Sequence, residues 1–171
     1  MTATAEFSKY TNEGYQFKGE SITLGGAMFN GEALPDTFVK VPLKTLNRHG
    51  LIAGATGTGK TKTIQVLSEQ LSSYGIPVLM MDIKGDFSGI AKAGEEKPFI
   101  TERHAKINLP YQPDSFPVEL LSLSQQNGVR LRATVSEFGP VLFSRILDLN
   151  DTQAGVVAVI FKYCDDKKMP L

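Results

Sequence analysis

This sequence has one cysteine, two histidines, no excess of either charge and no long apolar run. Each scarcity removes a class of protein. The single cysteine, Cys164, rules out an internal disulfide framework and reads as a small core side chain rather than a nucleophile. So few cysteines and histidines leave no cluster with zinc-ligand spacing. No stretch approaches the roughly 18 apolar residues of a membrane span. Met1 to Glu20 holds no apolar segment of the kind a secretory signal needs. These features predict a cytoplasmic protein with no membrane partner. Eighteen basic and eighteen acidic residues cancel, so no global basic field announces nucleic acid. A local DNA-contacting loop stays open. What remains is 171 residues, 42% apolar and 21% charged, enough for one domain, or one with an appendage, around a real core.

One stretch carries chemistry. Gly54-Ala55-Thr56-Gly57-Thr58-Gly59-Lys60-Thr61 fits the phosphate-binding pattern of a glycine, four residues, then Gly-Lys-Ser/Thr. Glycines let the backbone wrap closely, so that successive N–H groups can face phosphate oxygens. Lys60 reaches the terminal phosphates as a mobile charge, which makes it the candidate catalytic residue, and the Thr61 hydroxyl is the candidate Mg²⁺ ligand. A helix starting at Lys60 aims its positive dipole end at the same anion. At ordinary residue frequencies the pattern arises by chance in well under about 1% of chains this long. ATP and Mg²⁺ are the expected cofactors.

In chain order, Met1 to Gly19 is polar without a clear period and reads as a loose lead-in. Ile22–Phe29 and Thr37–Leu43 read as strands, separated by Asn30-Gly31 and the Pro35-Asp36 turn signal. Residues 1–46 thus form a lead-in with short strands, and 47–171 a second region. Arg48 and His49 precede the short apolar run Leu51-Ile52-Ala53, expected as a buried strand, with His49 bonding backbone at its entry. From Lys60, Ile64, Leu67, Leu71 and Tyr74 fall at helical spacing, and Gly75 ends the helix. Val78-Leu79-Met80-Met81 follows as another strand. Strand, helix and strand make a parallel βαβ unit, which puts Asp82 on the rim of the phosphate loop.

Asp82-Ile83-Lys84-Gly85-Asp86 has three readings. Asp82 could hold Mg²⁺ through water as a Walker B acid, or begin an Asp-x-x-Gly switch. Otherwise Asp82 and Asp86 border the site or cap a loop. No Asn-Lys-x-Asp motif follows to support the switch. Ala91–Pro117 reads as irregular. A hairpin is expected over about 117–135, turning at Asn127-Gly128, with Arg130 and Arg132 on a solvated face. A helical segment spans about 139–168. It opens at Gly139-Pro140 and restarts from a cap at Asn150 or Asp151.

Asn47-Arg48-His49-Gly50-Leu51-Ile52-Ala53, running into the phosphate loop, resembles the HerA/FtsK group of P-loop ATPases. Asp82-Ile83-Lys84-Gly85-Asp86, Arg132-Ala133-Thr134-Val135, and Gly139-Pro140 leading to Asp148-Leu149-Asn150-Asp151-Thr152-Gln153 resemble its bacterial HerA-like helicase branch. The likeness covers most of residues 20–171 and is specific from about 47 onward. It implies an α/β fold, a RecA-like core with a parallel sheet, preceded by short β-strands and carrying a helical insertion. It also implies Mg-ATP and a hexameric homo-oligomeric ring that moves DNA. Such enzymes use a later Walker B pair, a polar sensor and an arginine from a neighbouring subunit, none of which is recognised here. The chain therefore reads as a truncated, N-terminal part of a motor ATPase, inactive alone. A small-molecule phosphotransferase and a nucleotide-binding regulatory module without turnover are the competing classes. The first would need an acceptor site and a basic lid, neither visible.

Overall fold

The structure, a computed structural model, describes residues 2–171. They fall into two compact units, a first through Val118 and a second over Glu119–Leu171. The boundary expected near residue 46 lies inside the first unit.

The first unit is built on an antiparallel hairpin, β1 (Ser21–Phe29) and β2 (Glu32–Pro42). Asn30 and Gly31 both take positive φ, 51° and 83°, the pair of left-handed residues that a tight twisted turn requires. Pro35-Asp36, expected to help separate the two strands, does not do so. It is absorbed into β2 as an irregularity, with Asp36 at φ 52°. Ile22 is fully enclosed at 0% exposure, with Ala27, Leu34 and Thr37 buried nearby.

The lead-in is not loose. Ala3–Gly14 form a helix, α1, capped by the Thr2 hydroxyl accepting from the Ala5 N–H at 3.4 Å. Its weak apolar period hides it in the sequence, because tertiary contacts hold it. Phe7 lies 4.9 Å from Phe29 between ring centroids, and the Ser8 and Thr37 hydroxyls bond at 2.6 Å. The region 91–117 is likewise not wholly irregular. It contains a helix over Pro98–Ile107 that packs on β2. There Asn108 Nδ2 donates to Asp36 Oδ1 at 2.7 Å.

The expected helix after the phosphate loop is present as α2 (Lys60–Ser73), ending where Gly75 turns to φ 71°; the helix over Pro98–Ile107 is α3. The strands expected on either side of α2 are absent. Leu51 is 89% exposed, Leu79 82% and Met81 86%, and neither run pairs with a strand among the described residues. The reason is physical. An apolar run becomes a strand through its hydrogen-bonded neighbours, and these two runs have none here. The described residues are α/β, with two two-stranded sheets and without the parallel sheet expected of a RecA-like core.

In the second unit, the expected hairpin is a short parallel pair, β3 (Leu121–Ser122) with β4 (Val129–Arg130). Val129 N–H donates to the Leu120 carbonyl at 2.7 Å, and Leu131 N–H to Ser122 at 2.8 Å. The Ser122 and Ser124 hydroxyls accept from the N–H groups of Ser124 and Gln126. Local serine bonds of this kind divert backbone donors that a tight antiparallel turn would use. Arg130 is exposed, as expected of a solvated face. The helical segment has two parts, α4 (Val135–Ile146) and α5 (Asp151–Lys167). Gly139, at φ 64° and ψ 167°, breaks α4, so Pro140 opens its second piece. Asn150 caps α5 in a reciprocal box with Gln153, 3.0 and 3.1 Å. Val156–Phe161 is helical, Phe143 meets Phe161 at 5.8 Å, and Cys164 is buried in this seam.

Candidate functional site

The stretch Gly54–Thr61 forms an exposed loop that runs directly into α2. Gly57 and Gly59 take φ of 81° and 96°, a region that L side chains enter at a cost. At Gly54 a Cβ would stand 2.6 Å from the Thr58 hydroxyl, so the first glycine of the motif is needed for closeness rather than for φ. The loop is tied across its mouth at Ala55. The Ala55 carbonyl accepts from Thr58 Oγ1 at 2.8 Å and from Lys60 Nζ at 2.7 Å. Gly59 stands at the helix N-cap and offers no side-chain cap. The first N–H groups of α2 are consequently left for an external acceptor. Lys60 begins the helix and Thr61 is its second residue, half-buried. The donor set fits a phosphate group: a curled backbone, an ammonium, a hydroxyl and the positive end of a helix.

Asp82 has a different task. Its Oδ1 accepts from the N–H groups of Gly85 at 2.8 Å and Asp86 at 3.1 Å, and its Oδ2 from Phe87 at 2.9 Å. The Phe87 N–H, followed by those of Asp86, Gly85 and Lys84, holds this carboxyl below the usual aspartate range. Of the three sequence readings, the geometry is that of a capped loop, with the carboxylate largely consumed by its own backbone. The Asp86 carboxylate is exposed. His49 and Arg48 are exposed as well, with no strand for His49 to enter.

Two glutamines on α2 escaped the sequence reading. Gln70 clamps the backbone of Thr23 on β1, its Oε1 accepting from the N–H at 2.7 Å and its Nε2 donating to the carbonyl at 2.6 Å. Gln65 is 8% exposed. It accepts from Lys62 Nζ at 2.8 Å and donates to the Asp86 carbonyl at 3.0 Å. The available signal was a polar residue four positions after Thr61, on the same helical face. Glu69, farther along α2, titrates above its ordinary range because burial penalises its charge, with Lys62 opposing that rise.

The second unit has a groove lined by residues that include Pro140, Ser144, Arg145 and Asp148, and no residue of the phosphate-loop motif lines it. The Ser144 hydroxyl is buried there without a hydrogen-bond partner. No group of three or more metal-ligating side chains occurs among the described residues. None of their helices is long and apolar enough to cross a membrane.

A loop of this construction at the head of a helix, in an α/β chain, is accompanied by a match to the helicase HerA-like C-terminal family over residues 28–171. The chain belongs to that family. It is 29% identical over 126 residues to the DNA import protein CedB of Sulfolobus acidocaldarius, covering 72% of this chain and 21% of that protein. It is 34% identical over 100 residues to the DNA double-strand break repair helicase HerA of Sulfurisphaera tokodaii, covering 57% and 19%. With HerA of S. acidocaldarius it shares 41% over 49 residues, covering 29% and 10%. The chain therefore spans about a fifth or less of the length of these curated relatives. No solved structure matches it.

Proposed function

We propose that this chain is the ATP-binding part of a HerA/FtsK-like motor ATPase that acts on DNA, of the bacterial HerA-like branch. The loop Gly54–Thr61 carries the reading, since its glycines curl the backbone and its helix start lacks a side-chain cap. In this reading the loop N–H groups hold the phosphates of ATP. Lys60 leaves the Ala55 carbonyl to face the terminal phosphates, and the Thr61 hydroxyl meets Mg²⁺. The bound Mg-nucleotide supplies the phosphoanhydride whose cleavage drives movement. The DNA role is supported by the identity of the relatives, one a repair helicase and one a DNA import protein.

The exposed runs Leu51-Ala53 and Val78-Met81 are strands of a RecA-like sheet in this reading, paired by strands of a longer ATPase. That ATPase works in the cytoplasm as a homo-oligomeric ring, a hexamer. The pairing strands are supported by the exposure of these runs and by the greater length of the relatives; the ring and its compartment are carried by the family resemblance alone. The test measures ATP hydrolysis by the longest gene product containing this chain, with and without duplex DNA. DNA-stimulated turnover is expected. ADP release that depends on a small-molecule acceptor, or binding without turnover, would replace this reading with one of its competitors.

A further inference from the structure

Thr61 and Gln65 stand four residues apart on α2, and so on one face, about 6 Å along the axis at 1.5 Å per residue. Gln65 is buried, and both ends of its amide are used. The oxygen is fixed by Lys62 Nζ at 2.8 Å, which leaves the nitrogen to donate to the Asp86 carbonyl at 3.0 Å. Asp86 is held from the other side by its own N–H, which donates to Asp82 Oδ1 at 3.1 Å. Its backbone is thus pinned between a helix and a capped turn, against the face that bears Thr61. Its side chain is exposed and engaged in no hydrogen bond among the described residues. Asp82, by contrast, has spent its oxygens on Gly85, Asp86 and Phe87.

We infer that Asp86 is the acid of this segment that serves Mg²⁺, through the metal's water shell, and that Gln65 is the positioning residue that keeps it there. The inference rests on the phosphate-loop reading of Gly54–Thr61. Mg²⁺ retains several waters and is held by one or two carboxylates together with substrate phosphates. An exposed carboxylate, on a backbone pinned to Gln65 one helical turn from the hydroxyl expected to ligate the ion, suits contact through water. Asp82 then acts on the metal only through the turn it closes.

The experiment titrates a fluorescent ATP analogue into the 171-residue chain, with Mg²⁺ and with EDTA, for wild type, Asp86→Asn, Gln65→Glu and the double variant. Gln65→Glu keeps the acceptor for Lys62 and removes the donor to Asp86. Expected is unchanged affinity in EDTA, with the Mg²⁺ enhancement reduced about tenfold in each single variant, the scale of an outer-shell metal contact. The double variant should lose no more than either single one, because both changes cut the same link. Equal loss with and without Mg²⁺, no loss in Asp86→Asn, or additive losses would overturn the inference. Asp86 is exposed, so Asp86→Asn keeps the fold and decides the matter even if Gln65→Glu does not fold. Lys60→Ala runs alongside. If it binds the analogue as wild type does, the phosphate-loop reading fails instead, and the two failures stay distinct.

Discussion

The loops at Gly54–Thr61 and Asp82–Phe87 invite comparison because they start alike and end differently. Each follows a short apolar run, each turns through glycine at positive φ, and most of each is exposed. The second begins with an aspartate, whose carboxylate takes three consecutive N–H groups. The first contains no acid at all. Its donors stay free of any internal anion, and its charged residue is Lys60, bonded only to a neutral carbonyl at Ala55. One loop is saturated by its own side chain; the other is open to an anion from outside. Glycine content alone does not make a phosphate site. The residue that answers the backbone donors decides.

The largest effect should come from Lys60→Ala, which removes the one full positive charge in the open loop. ATP affinity should fall on the order of a hundredfold, near the upper end of a charge-assisted hydrogen bond at about 3 kcal/mol; a fluorescence titration reads this. Thr61→Ala should leave much of the binding in EDTA and lose its Mg²⁺ dependence, read by repeating that titration over Mg²⁺ concentration. Asp82→Ala should open the saturated loop and expose the N–H groups of Gly85, Asp86 and Phe87 to hydrogen exchange. In EDTA it should change ATP affinity by no more than about twofold, the usual limit for a surface change. A larger change there would mean that the two loops are not functionally distinct.

Acid gives the smallest and most local effect. The Asp82 carboxyl titrates below its ordinary value of 3.8, because the N–H of Phe87 and its neighbours favour the charged form. A lowered folded-state value means that its contribution is complete above 3.8 and is lost as pH falls through the folded value. Between pH 7 and pH 5 exchange at Gly85–Phe87, corrected for intrinsic rate, should therefore be constant, and below about pH 4 it should accelerate. Glu137, lowered by the Thr134 N–H, should release its helix start over a similar range.

The sequence made some of this legible and hid the rest for identifiable reasons. The helix after the phosphate loop, its stop at Gly75, the Asn30-Gly31 turn and the cap at Asn150 are local signals, and all are present. Failures cluster where structure depends on distant partners. The helix α1 is set by Phe29 and Thr37, which no periodicity in residues 3–14 reveals. Leu51-Ala53 and Val78-Met81 have strand composition and lack strand neighbours. The motif residues were readable because their spacing is local. Gln65 and Gln70 were not, since their importance lies in backbone groups 21 and 47 residues away. The same exposed runs, with Leu79 and Met81 most open, should make the isolated chain self-associate, and light scattering should report species larger than a monomer.

The most direct test of the two-loop account is residue-resolved hydrogen exchange on this chain, with and without ATP in EDTA. The N–H groups of Gly57, Gly59, Lys60 and Thr61 should gain protection on adding ATP, because phosphate oxygens become their acceptors. Those of Gly85, Asp86 and Phe87 should stay as they were, already bonded to Asp82. No gain at Gly57–Thr61 at saturating ATP, or a gain confined to Gly85–Phe87, would contradict the claim that the first loop is the phosphate site.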